Sequence, residues 1–109
     1  MNQLTADLIK GDRKAFEKIY CNCHDRLYHF AREYVSDHEE AMDIVQNVFT
    51  KLWQRKEELN PSSNLEAWLF TVTRNECLSL LDHKRIVMTH RENEKKKLQE
   101  INLLALKSL

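Results

Sequence analysis

The stretch DIVQNVFTKLWQ, residues 43–54, carries two kinds of side chain at helical spacing. Apolar residues recur every three or four positions from Val45 to Trp53, which predicts a buried stripe. The polar residues that recur at the same spacing on another side are Asp43, Gln46, Asn47 and Thr50. Their carboxylate and amide groups can make directional hydrogen bonds and ion pairs. The stretch therefore predicts a helix with one core stripe and one polar face.

A second polar group follows at residues 59–64, where Pro61 interrupts the helical pattern. Four side chains there carry amide or hydroxyl groups that make turn hydrogen bonds; they are Asn60, Ser62, Ser63 and Asn64. This segment is predicted to be a polar loop between two helices.

The sequence gives little support for a metal site or for catalysis. Cys21, Cys23 and His24 are good zinc-ligand types, but residues two apart on a helix point nearly opposite ways, and no second Cys/His pair follows. None of the histidines is paired with a nucleophile, and no glycine-rich phosphate loop is present. We therefore expect a protein that is not an enzyme, with no metal and no cofactor.

Composition and periodicity indicate the elements that position these groups. One Gly and one Pro among 109 residues leave little to build hairpins, so the predicted fold class is all-α, a compact bundle of about four helices with a C-terminal linker helix. Asp12 is a predicted helix cap, and Ser36–Glu39 and Ser63–Glu66 have the capping-box form. The expected helices cover about 3–10, 13–35, 37–58 and 64–85, followed by a linker and a weaker helix within 86–109 that includes Leu98, Ile101, Ala105 and Leu109.

Asn75 stands out in the fourth predicted helix. The predicted apolar stripe of this helix is Leu65, Trp68, Leu69 and Val72, and extending it by one turn reaches Asn75. Burying an amide costs about 1–3 kcal/mol unless it is hydrogen-bonded, so a partner for Asn75 is expected.

Charge and cysteine usage bear on partners and compartment. Residues 1–50 hold six Lys/Arg and nine Asp/Glu, whereas residues 74–97 hold seven and four. The basic part is either a solvated surface or a phosphate-facing patch. Three cysteines, the absence of a signal peptide and the absence of a long apolar run favour a cytoplasmic protein without a membrane segment.

Three motifs in a fixed order give the chain a resemblance to a known family. They are GDRKAFEKIYCNCHDRLYHFA at 11–31, EEAMDIVQNVFTKLWQRKEEL at 39–59 and NLEAWLFTVTRNECLSLLDHKR at 64–85. Over residues 7–87 the sequence resembles region 2 of bacterial extracytoplasmic-function sigma factors. The resemblance implies a transcription initiation factor that binds core RNA polymerase and recognises the minus-ten promoter element as single-stranded DNA.

The resemblance also implies which residues act. The polar face docks on the clamp coiled coil of the polymerase, which gives the core-binding candidates Asp43, Gln46, Asn47, Phe49 and Trp53. The loop and the following helix capture a flipped base of the non-template strand, with Asn75 behind the pocket. The DNA-binding candidates are Leu59, Asn60, Ser62, Ser63, Asn64, Arg74, Asn75, Lys84 and Arg85. Trp68 is assigned to the core beneath the loop, with base stacking as the alternative.

Some features depart from the family pattern. Asn47 stands where the family often has Glu, and the loop lacks aromatic residues. Residues 1–87 form the expected region 2 domain, and residues 88–109 the start of a linker towards a minus-thirty-five-reading domain that has no counterpart here; this favours a fragment of a longer factor. An anti-sigma factor is an expected partner. The alternative is a helical protein–protein adaptor that shares the fold without DNA recognition. The sequence leaves the promoter, the inducing signal and the oligomeric state open.

Overall fold

The computed structural model describes the backbone of residues 2–107 and the side chains of residues 3–107. Within this range there are four α-helices, a short 3-10 turn and no β-strand. The helices are α1 (Asn2–Ile9), α2 (Arg13–Arg32), α3 (His38–Gln54) and α4 (Leu65–Lys107), and the 3-10 turn is Lys56–Glu58. The predicted all-α class is confirmed.

The junction between α1 and α2 follows from two residues. Gly11 has a φ of 88°, a left-handed conformation that glycine adopts without steric cost, and it ends the first helix. The backbone N–H of Lys14 donates to the Asp12 carboxylate at 2.9 Å, which satisfies one of the free amides of the first turn. The predicted cap of α2 is confirmed.

The predicted junction between α2 and α3 is wrong in detail. Asp37 rather than Ser36 occupies the cap position of α3, and it makes no side-chain capping bond. Helix α2 ends at Arg32, three residues earlier than expected. α3 ends at Gln54, and the 3-10 turn occupies part of the segment that was expected to continue it.

Helices α2 and α3 lie antiparallel, as the short turn between them predicts. Ring contacts pair Phe16 with Trp53 at one end and Tyr28 with His38 at the other, so position along α2 rises as position along α3 falls. The buried residues of both helices form the larger part of the core, to which α1 and α4 also contribute. They are Ala15, Ile19, Cys23, Leu27 and Ala31 on α2, and Ala41, Ile44, Val45, Val48, Phe49 and Leu52 on α3.

The buried line of α4 differs from the predicted one. Buried residues follow at intervals of four, namely Leu65, Leu69, Thr73 and Cys77. Thr73 satisfies its hydroxyl by donating to the Leu69 carbonyl at 2.7 Å. Asn75 is exposed, so the expectation that it is buried is wrong.

The chain divides into two units, Met1–Leu78 and Ser79–Leu109. Residues 79–107 are helical, so the charged run that was expected to separate two helices is itself helical. The charged run RENEKKK is rich in Glu, Lys and Arg, which are good helix formers, and no Gly or Pro stops the helix there. Leu109, which belonged to the predicted C-terminal helix, lies outside the described residues.

Within residues 2–107, no helix combines the length and the apolar character that a membrane crossing requires.

Candidate functional site

The polar face of α3 is exposed as the sequence predicts. Asp43, Gln46 and Asn47 are exposed, because Val45 and Val48 turn the opposite side of the helix towards the core. The Gln46 amide Nε2 donates to the Tyr20 hydroxyl at 3.1 Å, which fixes the amide from the neighbouring helix. Three hydrogen-bonding side chains therefore stand on one face, one of them held by α2.

The two aromatic candidates on α3 have different positions. Phe49 is only 2% exposed, and its ring centroid lies 4.7 Å from that of Tyr20, so it supports the polar face from within the core. Trp53 is half-buried. The Lys56 ammonium lies 4.1 Å from the centre of the Trp53 ring and also donates to the Trp53 carbonyl. This cation–π contact holds the Trp53 ring in place.

A shallow groove of about 320 Å³ adjoins the polar face. Its lining residues are Phe16, Tyr20, Gln46, Phe49, Thr50, Trp53 and Gln54. The sequence-based assignment omitted Phe16 and Tyr20, which share one face of α2 and contact Trp53 and Phe49 of α3. The groove gives the polar face an aromatic border.

The loop at residues 59–64 is ordered by its own side chains. The Asn60 carboxamide oxygen accepts from the Ser62 backbone N–H at 3.0 Å and from the Ser62 hydroxyl at 2.9 Å. The Ala67 N–H donates to the Asn64 side-chain oxygen at 3.1 Å, so Asn64, rather than the predicted Ser63, caps α4. Asn60, Ser62 and Asn64 are exposed, whereas Leu59 and Ser63 are half-buried.

An exposed strip runs along α4 from this loop. Asn64, Ala67, Thr71, Arg74 and Asn75 are exposed and recur at helical spacing opposite the buried line, with the half-buried Trp68 at the edge of the strip. Asn75 is eleven residues beyond Asn64, roughly 16 Å along the helix at 1.5 Å per residue. It therefore lies along the helix from the loop rather than behind it. Thr71 belongs to this strip and had not been singled out from the sequence.

Three contacts hold the first part of α4 against the other helices. Glu66 pairs with Arg26 of α2 at 2.7 Å, Phe70 packs edge-to-face on Phe30 of α2, and Glu76 pairs with Lys51 of α3. The hydrogen bond from Arg26 to Glu66 and their charge attraction raise the pKa of Arg26 above its usual value.

Cys23 and Cys77 are buried core residues, and burial raises the pKa of both thiols. Cys21 is exposed. Among the described residues, no three His, Cys, Asp or Glu side chains are grouped so that they could hold a metal ion.

Lys84 and Arg85 belong to the second unit and are exposed. Arg85 lies 3.8 Å from Asp82 on the same helix.

Comparisons with known proteins agree on one family. The model of the family described as sigma-70 region 2 matches residues 19–86. The RNA polymerase sigma factor CnrH of Cupriavidus metallidurans is 25% identical over 83 residues, which are 76% of this chain and 44% of CnrH. The chain thus spans less than half the length of this curated relative.

A solved structure supports the fold. The NMR structure of an engineered region 2 of sigmaE in complex with GTAAAA matches with a TM-score of 0.70 at 22% sequence identity. The match covers 76% of this chain and 86% of the other.

Proposed function

The chain belongs to the sigma-70 region 2 family, as the motifs in its sequence predicted, and from this premise we propose that it acts in transcription initiation. In this proposal the α3 face binds core RNA polymerase, and the loop at 59–64 together with the α4 strip holds the minus-ten promoter element as a single strand. The observation that carries the proposal is the exposure of both predicted surfaces within one family-matched segment.

The α3 face suits a helical partner with basic side chains, such as the clamp coiled coil. Asp43 can form an ion pair, and Gln46 and Asn47 can donate and accept hydrogen bonds. Short polar groups of this kind select orientation and partner without an exposed apolar patch on the free protein. The aromatic groove beside them offers the large, partly desolvated contacts in which binding energy concentrates.

The loop and strip suit an unpaired strand. The folded Asn60–Ser62 turn presents amide and hydroxyl groups that can read a base edge once base pairing is lost. Arg74 is exposed on the strip. In this proposal it contacts a phosphate, which contributes affinity without sequence preference. The engineered sigmaE region 2 was solved in complex with GTAAAA, and we extend such recognition to this chain as part of the proposal.

Co-purification with core RNA polymerase tests the α3 assignment. The double variant Asp43→Ala, Gln46→Ala should be recovered with polymerase at less than a tenth of the wild-type amount. The matched control Gln99→Ala, Glu100→Ala also removes one exposed amide and one exposed carboxylate, and it should be recovered normally. Equal recovery of the double variant and the control would remove the α3 face from the proposal.

Binding to single strands separates the proposal from the adaptor alternative. The full chain should enrich a preferred sequence from a pool of random ten-nucleotide single strands, and Asn75→Ala should weaken that preference. Polymerase binding without any strand preference would favour an adaptor. Four further expectations from the sequence stay predictions. They are the anti-sigma partner, the cytoplasmic location, the role of Lys84 and Arg85, and the division into a domain at 1–87 and a linker at 88–109.

A further inference from the structure

An ion pair joins the middle of α2 to the first turn of α4. Arg26 donates from Nη2 to the Glu66 carboxylate at 2.7 Å, across forty positions of sequence. The same nitrogen lies 3.7 Å from the sulfur of Cys23, which is 2% exposed and one turn earlier on α2. The guanidinium is therefore fixed on its own helix as well as on α4.

This pair lies on a flank of α4 that the core leaves less constrained. Leu65 and Leu69 form one buried line, and a helix held along a single line can still rock about it. Glu66 is about 100° around the helix from Leu65, and Phe70 lies one turn further on the same flank, where it contacts Phe30 with 5.1 Å between ring centroids. These two flank contacts restrain the rotation of the first turns of α4, and the Glu76–Lys51 pair restrains the helix further along.

The rotation of this first turn matters for the loop at residues 59–64. Asn64 ends the loop and caps α4 through Ala67, so the end of the loop moves with the helix start. Asn60 and Ser62 are bonded to each other and form a unit just before it. Any rocking of α4 thus shifts the groups proposed to read a base.

We infer that Arg26 and Glu66 are positioning residues for base recognition, an inference that rests on the proposed function. Both side chains are about half exposed, at 52% and 41%, so the pair contributes little to the free energy of folding. Its effect is instead on where the loop is held. Neither residue is assigned a contact with DNA.

The test measures sequence discrimination by the full chain. A preferred ten-nucleotide single strand is first enriched from a random pool on the wild type, and the ratio of its Kd to that of a scrambled strand is then measured for each variant. This ratio cancels the uniform change in affinity that altered charge produces. The variants are Arg26→Ala, Glu66→Gln and the swap Arg26→Glu with Glu66→Arg.

Each single variant should reduce the discrimination between the preferred and the scrambled strand roughly twofold to fivefold. This range matches the coupling energy of a partly exposed ion pair. The swap variant should restore most of the lost discrimination. Arg32→Ala removes an exposed arginine of the same helix that contacts Tyr28 instead of α4, and it should leave the ratio unchanged. Unchanged ratios in both single variants overturn the inference and leave the proposed function intact. If the swap variant does not fold, the two single variants decide. Absence of any enriched strand with the wild type refutes the proposed function itself, and the inference with it.

Discussion

The hydrogen bond between Tyr20 and Gln46 gives a quantitative test of how the α3 face is built. In the free chain the Tyr20 hydroxyl accepts from Gln46 and holds its amide in one orientation. Tyr20→Phe removes this hydroxyl and keeps the ring, which packs on Phe49 and His24. The fold should survive, with a change in the free energy of unfolding within about 0.5 kcal/mol, as for most surface substitutions.

The expected effect on polymerase affinity follows from lost preorganisation. Immobilising one flexible side chain at an interface costs about 0.5–1.5 kcal/mol, which corresponds to an increase in Kd of roughly twofold to thirteenfold for Tyr20→Phe. Gln46→Ala removes the interface hydrogen bond itself and leaves its partner unpaired, at a cost of about 1–3 kcal/mol. The single Gln46 variant should therefore bind more weakly than the Tyr20 variant.

The double variant Tyr20→Phe, Gln46→Ala distinguishes an indirect role of Tyr20 in polymerase binding from a direct one. If the hydroxyl acts only through Gln46, adding Tyr20→Phe to Gln46→Ala should not weaken binding further. The binding free energies of the Gln46→Ala chain and of the double variant should then agree within about 0.5 kcal/mol. The assay is surface-immobilised core polymerase titrated with each of the four chains at fixed salt. Additive losses would refute the reasoning, because they would mean that the Tyr20 hydroxyl contacts the polymerase directly.

Three further predictions concern stability, thiol chemistry and salt. Gly11→Ala should lower the free energy of unfolding by roughly 1 kcal/mol in urea titrations, because Ala is strained at a φ of 88°. Steric overlap does not contribute, since the nearest atom to the added Cβ is a Lys56 side-chain carbon at 3.9 Å. Gly11→Asn should lower the free energy of unfolding by less, because Asn tolerates a positive φ better than Ala does. With a disulfide reagent at pH 7.5, the exposed Cys21 should react fast, and Cys21→Ser should abolish this fast phase. Cys23 and Cys77 should react slowly, because burial shields both thiols and raises their pKa, which lowers the thiolate fraction. The reaction rates of these two thiols should rise with pH. Arg74→Ala should reduce the slope of log K against log salt for single-strand binding by about 0.7, and an unchanged slope would exclude a phosphate contact.

The helices could be predicted because their signals are local. The apolar spacing in residues 43–54, the positive-φ glycine at position 11 and the cap at Asp12 each depend only on near neighbours in the sequence. The polar face of α3 was predictable for the same reason, since the stripe that is buried fixes the side that is exposed.

Residue types alone did not predict which face of α4 is buried. A buried polar residue was expected at Asn75 of α4, whereas this helix buries Thr73, whose hydroxyl donates to a carbonyl of the same helix. A hydroxyl satisfied within the helix can occupy a core position, and the sequence does not reveal this. The aromatic groove beside α3 was missed because it depends on which residues of α2 face α3 across the bundle.

The two tryptophans lie beside different candidate surfaces. Trp53 borders the groove beside the α3 face, and Trp68 lies at the edge of the α4 strip, one turn after the loop. Each candidate surface thus carries its own intrinsic fluorophore. Replacing one indole by Phe would allow the emission of the other to follow a single binding event without an attached dye.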